Sequence, residues 1–354
     1  MASANGDIEL PAFSVSVNGT ALPNAVATQV LGVSIDEEAG LPSMFTLELP
    51  GGDRNDAPAN IDGDLFAVGG AIEVKLGQPD ALETLFSGEI TGLEPSFLSN
   101  TRPVLVVRGY DRRHRLHRRR ATRTFLQQKD SDIAATIVQE VGLTPQVTDS
   151  QVVHDYLLQA DQTDMEFLQE RARRIEYEMV VDGQTLFFRP VQNAESDVLT
   201  LTPEDDLLEF YPRLSTMDQP TTVEVRAWSP KDKKAFVSDA QAGDEVSTMS
   251  GQQTGAALAD SAFGAGPAPI TSIPVVSQAE GDQLARAAFN RAILGLISGE
   301  GVSRGRTDLR AGKVIKIDNV GQRFSGQYYV HAVSHRYTPS SPYQTRFVVR
   351  RNAS

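Results

Sequence analysis

From Phe13 to Val17 apolar and polar residues alternate, and the run stops at Asn18-Gly19. Alternation with period two marks a strand with one buried face, and Asn-Gly supplies the left-handed residues of a tight hairpin turn. Val30–Ile35, Met44–Leu49, Ala71–Leu76, Leu85–Leu93 and Val104–Arg108 carry similar short apolar patterns between clusters of Gly, Pro, Asp and Asn. Short strands in succession, with no helical stretch between them, predict an antiparallel barrel or sandwich.

The period changes near Asp130. Asp130-Ser131-Asp132 forms a capping cluster, Ile133, Ile137, Val138 and Val141 recur at helical spacing, and Gly142 stands at the C-terminal turn. Thr163-Asp-Met-Glu166 is a capping box opening a second helix through Phe167, Leu168, Ala172 and Ile175. Glu178–Val181 and Thr185–Arg189 flank Asp182-Gly183, a hairpin signal. Strand patterns return at Leu207–Leu214 and Thr222–Trp228. Residues 239–275 are rich in Gly, Ala, Ser, Asp, Gln and Pro without a period, which predicts a long loop or arm. Ser277-Gln-Ala-Glu280 caps a helix carrying Ala285, Phe289, Ile293 and Leu296, and Lys313–Ile317, Gln327–Tyr337 and Thr345–Arg351 read as strands.

Two regions echo each other. Gly70-Ala-Ile72 and Val106-Val107-Arg108 recur as Gly312-Lys-Val314 and Val348-Val349-Arg350, both displaced by 242 residues. Between them Phe86-Ser87-Gly88 recurs as Phe324-Ser325-Gly326. The expected fold is therefore mixed β and α+β: two similar antiparallel β-barrel domains in a pseudo-repeat, an inserted small α/β module, and a helix in the C-terminal half. The expected divisions are 8–124 for the first barrel and 125–196 for the module. Residues 197–238 plus 299–354 form the second barrel, and 239–298 the arm and helix. Three copies of a two-barrel chain would give a ring of approximate six-fold symmetry, a geometry suited to an adaptor.

Composition narrows the chemistry. The chain of 354 residues has no Cys, which removes disulfides, thiolate metal sites and Cys nucleophiles. Its apolar runs are far shorter than the ~20 residues of a membrane span. The first residues show no basic-then-apolar leader, so synthesis and assembly in the cytoplasm are expected. The net charge is −13, yet Arg108–Arg123 holds eight Arg against one Asp, a local +7 that leaves −20 on the remainder. Such a block is either a nucleic-acid footprint or a set of arginines paired with carboxylates of another element or subunit. Tyr110 and Phe125 bracket its dense run Arg112–Arg123, no Phe, Tyr or Trp lies within that run for base stacking, and acidic partners are abundant. The second reading therefore leads, with Arg112, Arg113, Arg115, Arg118, Arg119, Arg120 and Arg123 as candidate contacts to a neighbouring subunit or spike.

Other chemistry is weaker. Gly301-Val-Ser303-Arg-Gly305 matches the G-x-S-x-G nucleophile elbow, with Asp318 and then His331 or His335 following in hydrolase order. An elbow needs a strand before the Ser and a helix after it; here the order is reversed, so a cell-wall-acting serine hydrolase is only an alternative, as is a nucleic-acid-binding module. His331 and His335 lack a third ligand nearby, and His114 and His117 sit among cations, so no metal is expected. Glu204-Asp205-Asp206 reads as a solvated turn after Pro203, and Gly264-Ala-Gly266 lacks the third glycine of a dinucleotide fingerprint. Neither a catalytic residue, a cofactor nor a small-molecule substrate is expected.

Arg108-Gly-Tyr-Asp111, His114-Arg-Leu116, Arg118-Arg-Arg120 and Arg123-Thr-Phe125 together resemble the strand-to-helix segment of the phage late control protein D and VgrG family. Gln162–Tyr177 is similar to the next helix of that family, Gln322–His335 to its C-terminal barrel strand, and Glu38–Leu49 to its first-barrel strands. The resemblance implies a structural protein, the baseplate hub of a contractile injection system such as a phage tail-like particle or a type VI secretion-like machine. It implies a homotrimer joining a hexameric inner tube to a three-fold spike, with other baseplate components around it and no nucleic acid. VgrG continues into a spike whereas this chain stops at Ser354, so a separate spike protein is the expected partner.

Overall fold

The computed structural model describes residues 12–52, 59–99 and 101–354; the first four positions of the expected 8–124 unit lie outside them. The chain opens with a hairpin of β1 (Ala12–Val17) and β2 (Thr20–Ala21), turning on Asn18 and Gly19 at φ +51° and +78°. A short helix α1 (Asn24–Ala27) leads to β3 (Gly32–Glu38) and β4 (Met44–Pro50). After α2 (Ala59–Asp62) come β5 (Ala71–Gln78), β6 (Ala81–Ser96) and β7 (Val104–Tyr110). Burial along β5 and β7 alternates, as the sequence pattern predicts. The inward residues Ile35, Phe45, Leu47, Leu49, Val74, Leu105 and Val107 form the first core with no more than 1% exposure. Each such side chain stabilises the fold by about 1.5–3 kcal/mol.

The module follows: β8 (Arg120–Lys129), α3 (Asp130–Glu140), β9 (Thr144–Val147), β10 (Val153–Thr163), α4 (Asp164–Arg174), β11 (Tyr177–Asp182) and β12 (Thr185–Pro190). The Thr163 capping box is complete: Glu166 N–H donates to Thr163 Oγ1 at 3.1 Å, and Thr163 N–H donates to Glu166 Oε2 at 2.8 Å. Gly142 takes φ +75° just past α3. The β11–β12 loop is Gly183-Gln184, one residue later than the Asp-Gly signal suggests, because Asp182 pairs with Thr185. Ile133, Ile137, Val138, Phe167, Leu168 and Phe188 fill a second core.

The second half contains β13 (Thr200–Leu201), β14 (Leu207–Leu214), β15 (Thr222–Ser229), β16 (Lys234–Gln241), α5 (Gly255–Phe263), β17 (Pro267–Ile270) and α6 (Gln278–Ile293). It ends with β18 (Ile297–Arg304), β19 (Val314–Ile317), β20 (Gly326–Thr338) and β21 (Ser341–Arg351). Two expectations are corrected here. The stretch 239–275 is not a bare arm: it carries the end of β16, then α5 and β17. The buried face of α5 is made of Gly255, Ala256 and Ala259, too small to register as an apolar period. The strand at 222–229 does not join the second barrel; β16-β15-β17 is a separate sheet whose Val223, Val225 and Ala240 pack with Leu284, Phe289 and Ile293 of α6.

The barrels are also corrected. Hydrogen-bonded pairing does not close either one among the described residues; the strands run as one 13-stranded sheet. One half has the order β5-β6-β7-β4-β3, the other β19-β20-β21-β18-β14, with every neighbouring pair antiparallel. The outer edge of β3, which closing the first half would need, is used instead to join the halves. One side of β20 pairs with β21; its other side pairs with β19 over Gly326–Tyr329 and with β3 over Ala332–Tyr337.

Candidate subunit interface at the arginine block

The block divides between a 3-10 turn, Arg112–His117, and the start of β8. Asp111 caps the turn, accepting from Arg113 N at 2.8 Å. Its carboxylate also accepts Arg113 Nε at 3.0 Å and Ser43 N at 2.6 Å. The other face of the Arg113 guanidinium donates to the Met179 carbonyl at 2.7 Å. Arg113 and Asp111 are both only 4% exposed, so Arg113 is an internal tie between the first sheet and the β11–β12 hairpin.

Glu89 on β6 collects the next set. It accepts Arg115 Nε at 3.0 Å, bonds to His114 Nε2 at 2.8 Å, and lies 3.7 Å from Arg112 Nε. Burial alone would raise the Glu89 carboxyl, but the hydrogen bonds and charges of Arg115 and His114 hold it below its ordinary value. Arg115 also donates to the Val141 carbonyl at 3.2 Å, at the end of α3. Arg123 faces inward on β8, donating to Gln159 at 2.8 Å, Glu140 at 2.7 Å and Asp164 at 2.7 Å. Thus Arg112, Arg113, Arg115 and Arg123 pair with carboxylates of their own chain.

The remaining three point out. Arg120 meets Asp161 at 3.3 Å and Glu166 at 3.4 Å while 54% exposed, and Arg119 lies 3.5 Å from Glu140 at 67% exposure. The exposed Arg118 side chain makes no ion pair with a described residue.

Sequence reasoning missed a second charged tie. Asp130, at the start of α3, accepts Arg171 Nε at 2.5 Å and Arg171 Nη2 at 3.1 Å, with His154 Nε2 at 3.2 Å. Burial opposes ionisation of Asp130, yet the hydrogen bonds from His154 and Arg171 hold its carboxyl low. Next to it Arg174 donates to Glu280 at 3.0 Å, joining the module to α6. On the far side Tyr329 of β20 donates to Glu178 of β11 at 3.0 Å, and Arg189 donates to the other Glu178 oxygen at 3.1 Å. Burial raises the Glu178 carboxyl and the Tyr329 hydroxyl. The module is therefore pinned to both halves of the large sheet and to α6. Long-range pairs of this kind leave no local spacing to read.

The repeat markers lie in different settings, one inside a strand and one at a turn into a strand. Phe86 and Gly88 lie within β6, Gly88 opposite Ile72 on β5, and the Phe86 ring is 5.1 Å from Phe45. Ser87 pairs with Glu73. Phe324-Ser325 forms the turn before β20, and Gly326 starts that strand opposite Ile317 on β19. Ser325 Oγ accepts Val320 N at 3.2 Å.

The hydrolase motif has a packing explanation. Ser303 lies inside β18 with 0% exposure and donates to the Thr345 carbonyl at 3.4 Å. A Cβ on Gly301 would strike the Phe347 ring, and one on Gly305 would strike the Tyr343 ring. The glycines thus make room for aromatics on the neighbouring strand rather than shaping an elbow. Asp318 pairs with Lys316 at 2.8 Å, and His331 lies 3.7 Å from Glu38. His335 is buried with Nδ1 2.8 Å from Tyr343 Oη, so the two histidines do not converge. Asp206 is buried against Arg306 at 2.7 Å, leaving Glu204 and Asp205 exposed. Among the described residues no three of His, Asp and Glu are grouped to hold a metal, and no helix is long and apolar enough to cross a membrane.

Comparison with solved structures shows the fold to be that of tail proteins. A 43 kDa tail protein of prophage MuSo2 from Shewanella oneidensis superposes with TM-score 0.71 at 13% identity, covering 96% of this chain and 98% of that one. A tail protein from Neisseria meningitidis gives 0.67 at 12% identity, covering 96% of each chain. An E. coli type VI secretion system component, described as structurally similar to T4 bacteriophage tail proteins, gives 0.63 at 15% identity over 96% of this chain and 77% of that one. No curated protein matches the sequence. Residues 7–339 match the family model described as the Alg8 N-terminal domain, and since that span is nearly the whole chain, the protein belongs to the Alg8 N-terminal domain family.

Proposed function

We propose that this chain is the structural hub of a contractile injection system baseplate, a non-enzymatic homotrimer of the late control protein D and VgrG type. The observation that carries the reading is the repeated strand order, β5-β6-β7-β4-β3 and β19-β20-β21-β18-β14, within one chain. Three chains would then present six similar sheets at one level, matching a hexameric inner tube, while the trimer itself matches a three-fold spike. Likeness to phage tail proteins and to a type VI secretion component supports the same reading. The proposed partners are two further copies, inner tube proteins, a separate spike protein and other baseplate components, in a phage tail-like or extracellular particle assembled in the cytoplasm. The exposed Arg118, Arg119 and Arg120 are the part of the block we assign to subunit or spike contacts. Native mass measurement tests this: the expected species has three times the 38.4 kDa chain mass. A monomer at micromolar concentration, with spike protein present, refutes it.

A further inference from the structure

We propose that the outer face of the β8–β10 ribbon, rimmed by Arg118, Arg119 and Arg120, is the surface on which a second copy of this chain docks; this rests on the trimeric reading above. The ribbon is peculiar in its pairing. Among the described residues β8 and β10 pair only with each other, so neither outer edge of this two-stranded sheet has a strand beside it there. Its inner face carries Ala121, Arg123 and Phe125 opposite Leu157 and Gln159, packed toward α3 and α4. Its outer face carries Thr122, Thr124 and Leu126 on β8, with Tyr156 and Leu158 on β10. Leu126, Tyr156 and Leu158 are 61%, 56% and 44% exposed. Tyr156 stands directly opposite Leu126, and Leu158 opposite Thr124, so the apolar groups form one strip.

A bare apolar strip on a two-stranded ribbon is what a third layer would cover. The rim decides what that layer is. The strip is uncharged at its centre and cationic at one end, the order found in protein–protein contacts, where an apolar middle has a polar border. A duplex would meet the arginines but leave Leu126 and Leu158 uncovered. Asp161, Glu166 and Glu140 already draw on two of the three guanidiniums. The covering surface should therefore be acidic protein. A second copy supplies one, since the chain outside the Arg block carries −20. A three-fold ring needs one such head-to-tail contact per subunit.

The test pairs Leu126→Asp/Leu158→Asp with Arg118→Glu/Arg119→Glu, read by native mass and sedimentation. All four side chains are exposed, so far-UV circular dichroism of each variant should match the parent. The expected result is association weakened at least ~100-fold in each variant, leaving monomers where the parent is trimeric. Variants that stay trimeric overturn the ribbon assignment and leave the hub reading standing; a parent that is itself monomeric beside its spike protein overturns both. Salt-sensitive DNA retention by the parent, lost in the Arg variant, overturns the proposal in favour of nucleic acid. The absence of Cys allows a second readout: Leu158→Cys should react with a maleimide at least ~10-fold more slowly in the assembled protein than in the Leu126→Asp background. Equal rates refute the docking.

Discussion

Replacing Arg171 by Met removes the main partner of Asp130, a carboxylate only 1% exposed. Two guanidinium hydrogen bonds, at 2.5 and 3.1 Å, are lost, and His154 at 3.2 Å remains as the side-chain hydrogen-bond partner. Stranding one partner of a buried pair costs about 3–5 kcal/mol. Asp130→Asn/Arg171→Met, which removes both charges, should cost only about 1–2 kcal/mol, because neither member of the pair is left stranded. The pH dependence gives the argument its sign. In the parent the Asp130 carboxyl is held low, so its contribution is present above the ordinary carboxylate value and is lost as pH falls through the lower folded value. In Arg171→Met the carboxylate lacks that support, and protonating Asp130 relieves the fault. The deficit should thus be largest near neutral pH and shrink as acid protonates the Asp130 carboxyl. Urea unfolding should be followed together with amide exchange in α3 and α4, because a chain with several cores need not unfold in one step. A deficit under ~1 kcal/mol, or one that does not shrink on acidification, would refute the reasoning.

Burial pushes the His335 imidazole from 6.5 down to about 4. Its contribution is complete above pH 6.5 and disappears as pH falls toward 4, about 3 kcal/mol in all; His335→Gln should flatten that part of the stability profile in denaturant titrations. Gly301→Ala and Gly305→Ala should each cost about 1–3 kcal/mol by driving a methyl into Phe347 or Tyr343. Ser303→Ala should lose about 1 kcal/mol of hydrogen bonding and change no hydrolytic rate, as an esterase assay on all three variants would show.

Legibility tracked how local the cause was. The Asn18-Gly19 turn, the Thr163 box and the strands from Met44 to Leu49 and Ala71 to Leu76 are set by neighbours in sequence, and the structure has them. α5 escaped notice because alanines bury it. β8 was hidden because Arg123 occupies an inward position in the Thr122/Thr124/Leu126 alternation, where its charge masks the period. The pairing of the Arg block with carboxylates could be expected from the acidic remainder, but the identities Glu89, Glu140 and Asp164 depend on folding that no spacing records. The first half stays open because the β3 edge pairs with β20, about 290 residues further along the chain.

That pairing also orders events on the ribosome. Ala332 pairs with Glu38, so β3 waits for about 290 further residues to emerge before its outer edge is covered. At ~5–20 residues per second the delay is on the order of 15–60 s. Throughout it, the nascent first half carries an unprotected edge with Val33 and Ile35 beside it, the kind of surface that templates aggregation or capture by a chaperone. Truncations ending before Gly326 should therefore be insoluble rather than half-folded, because the strand that starts there is the one that covers the β3 edge.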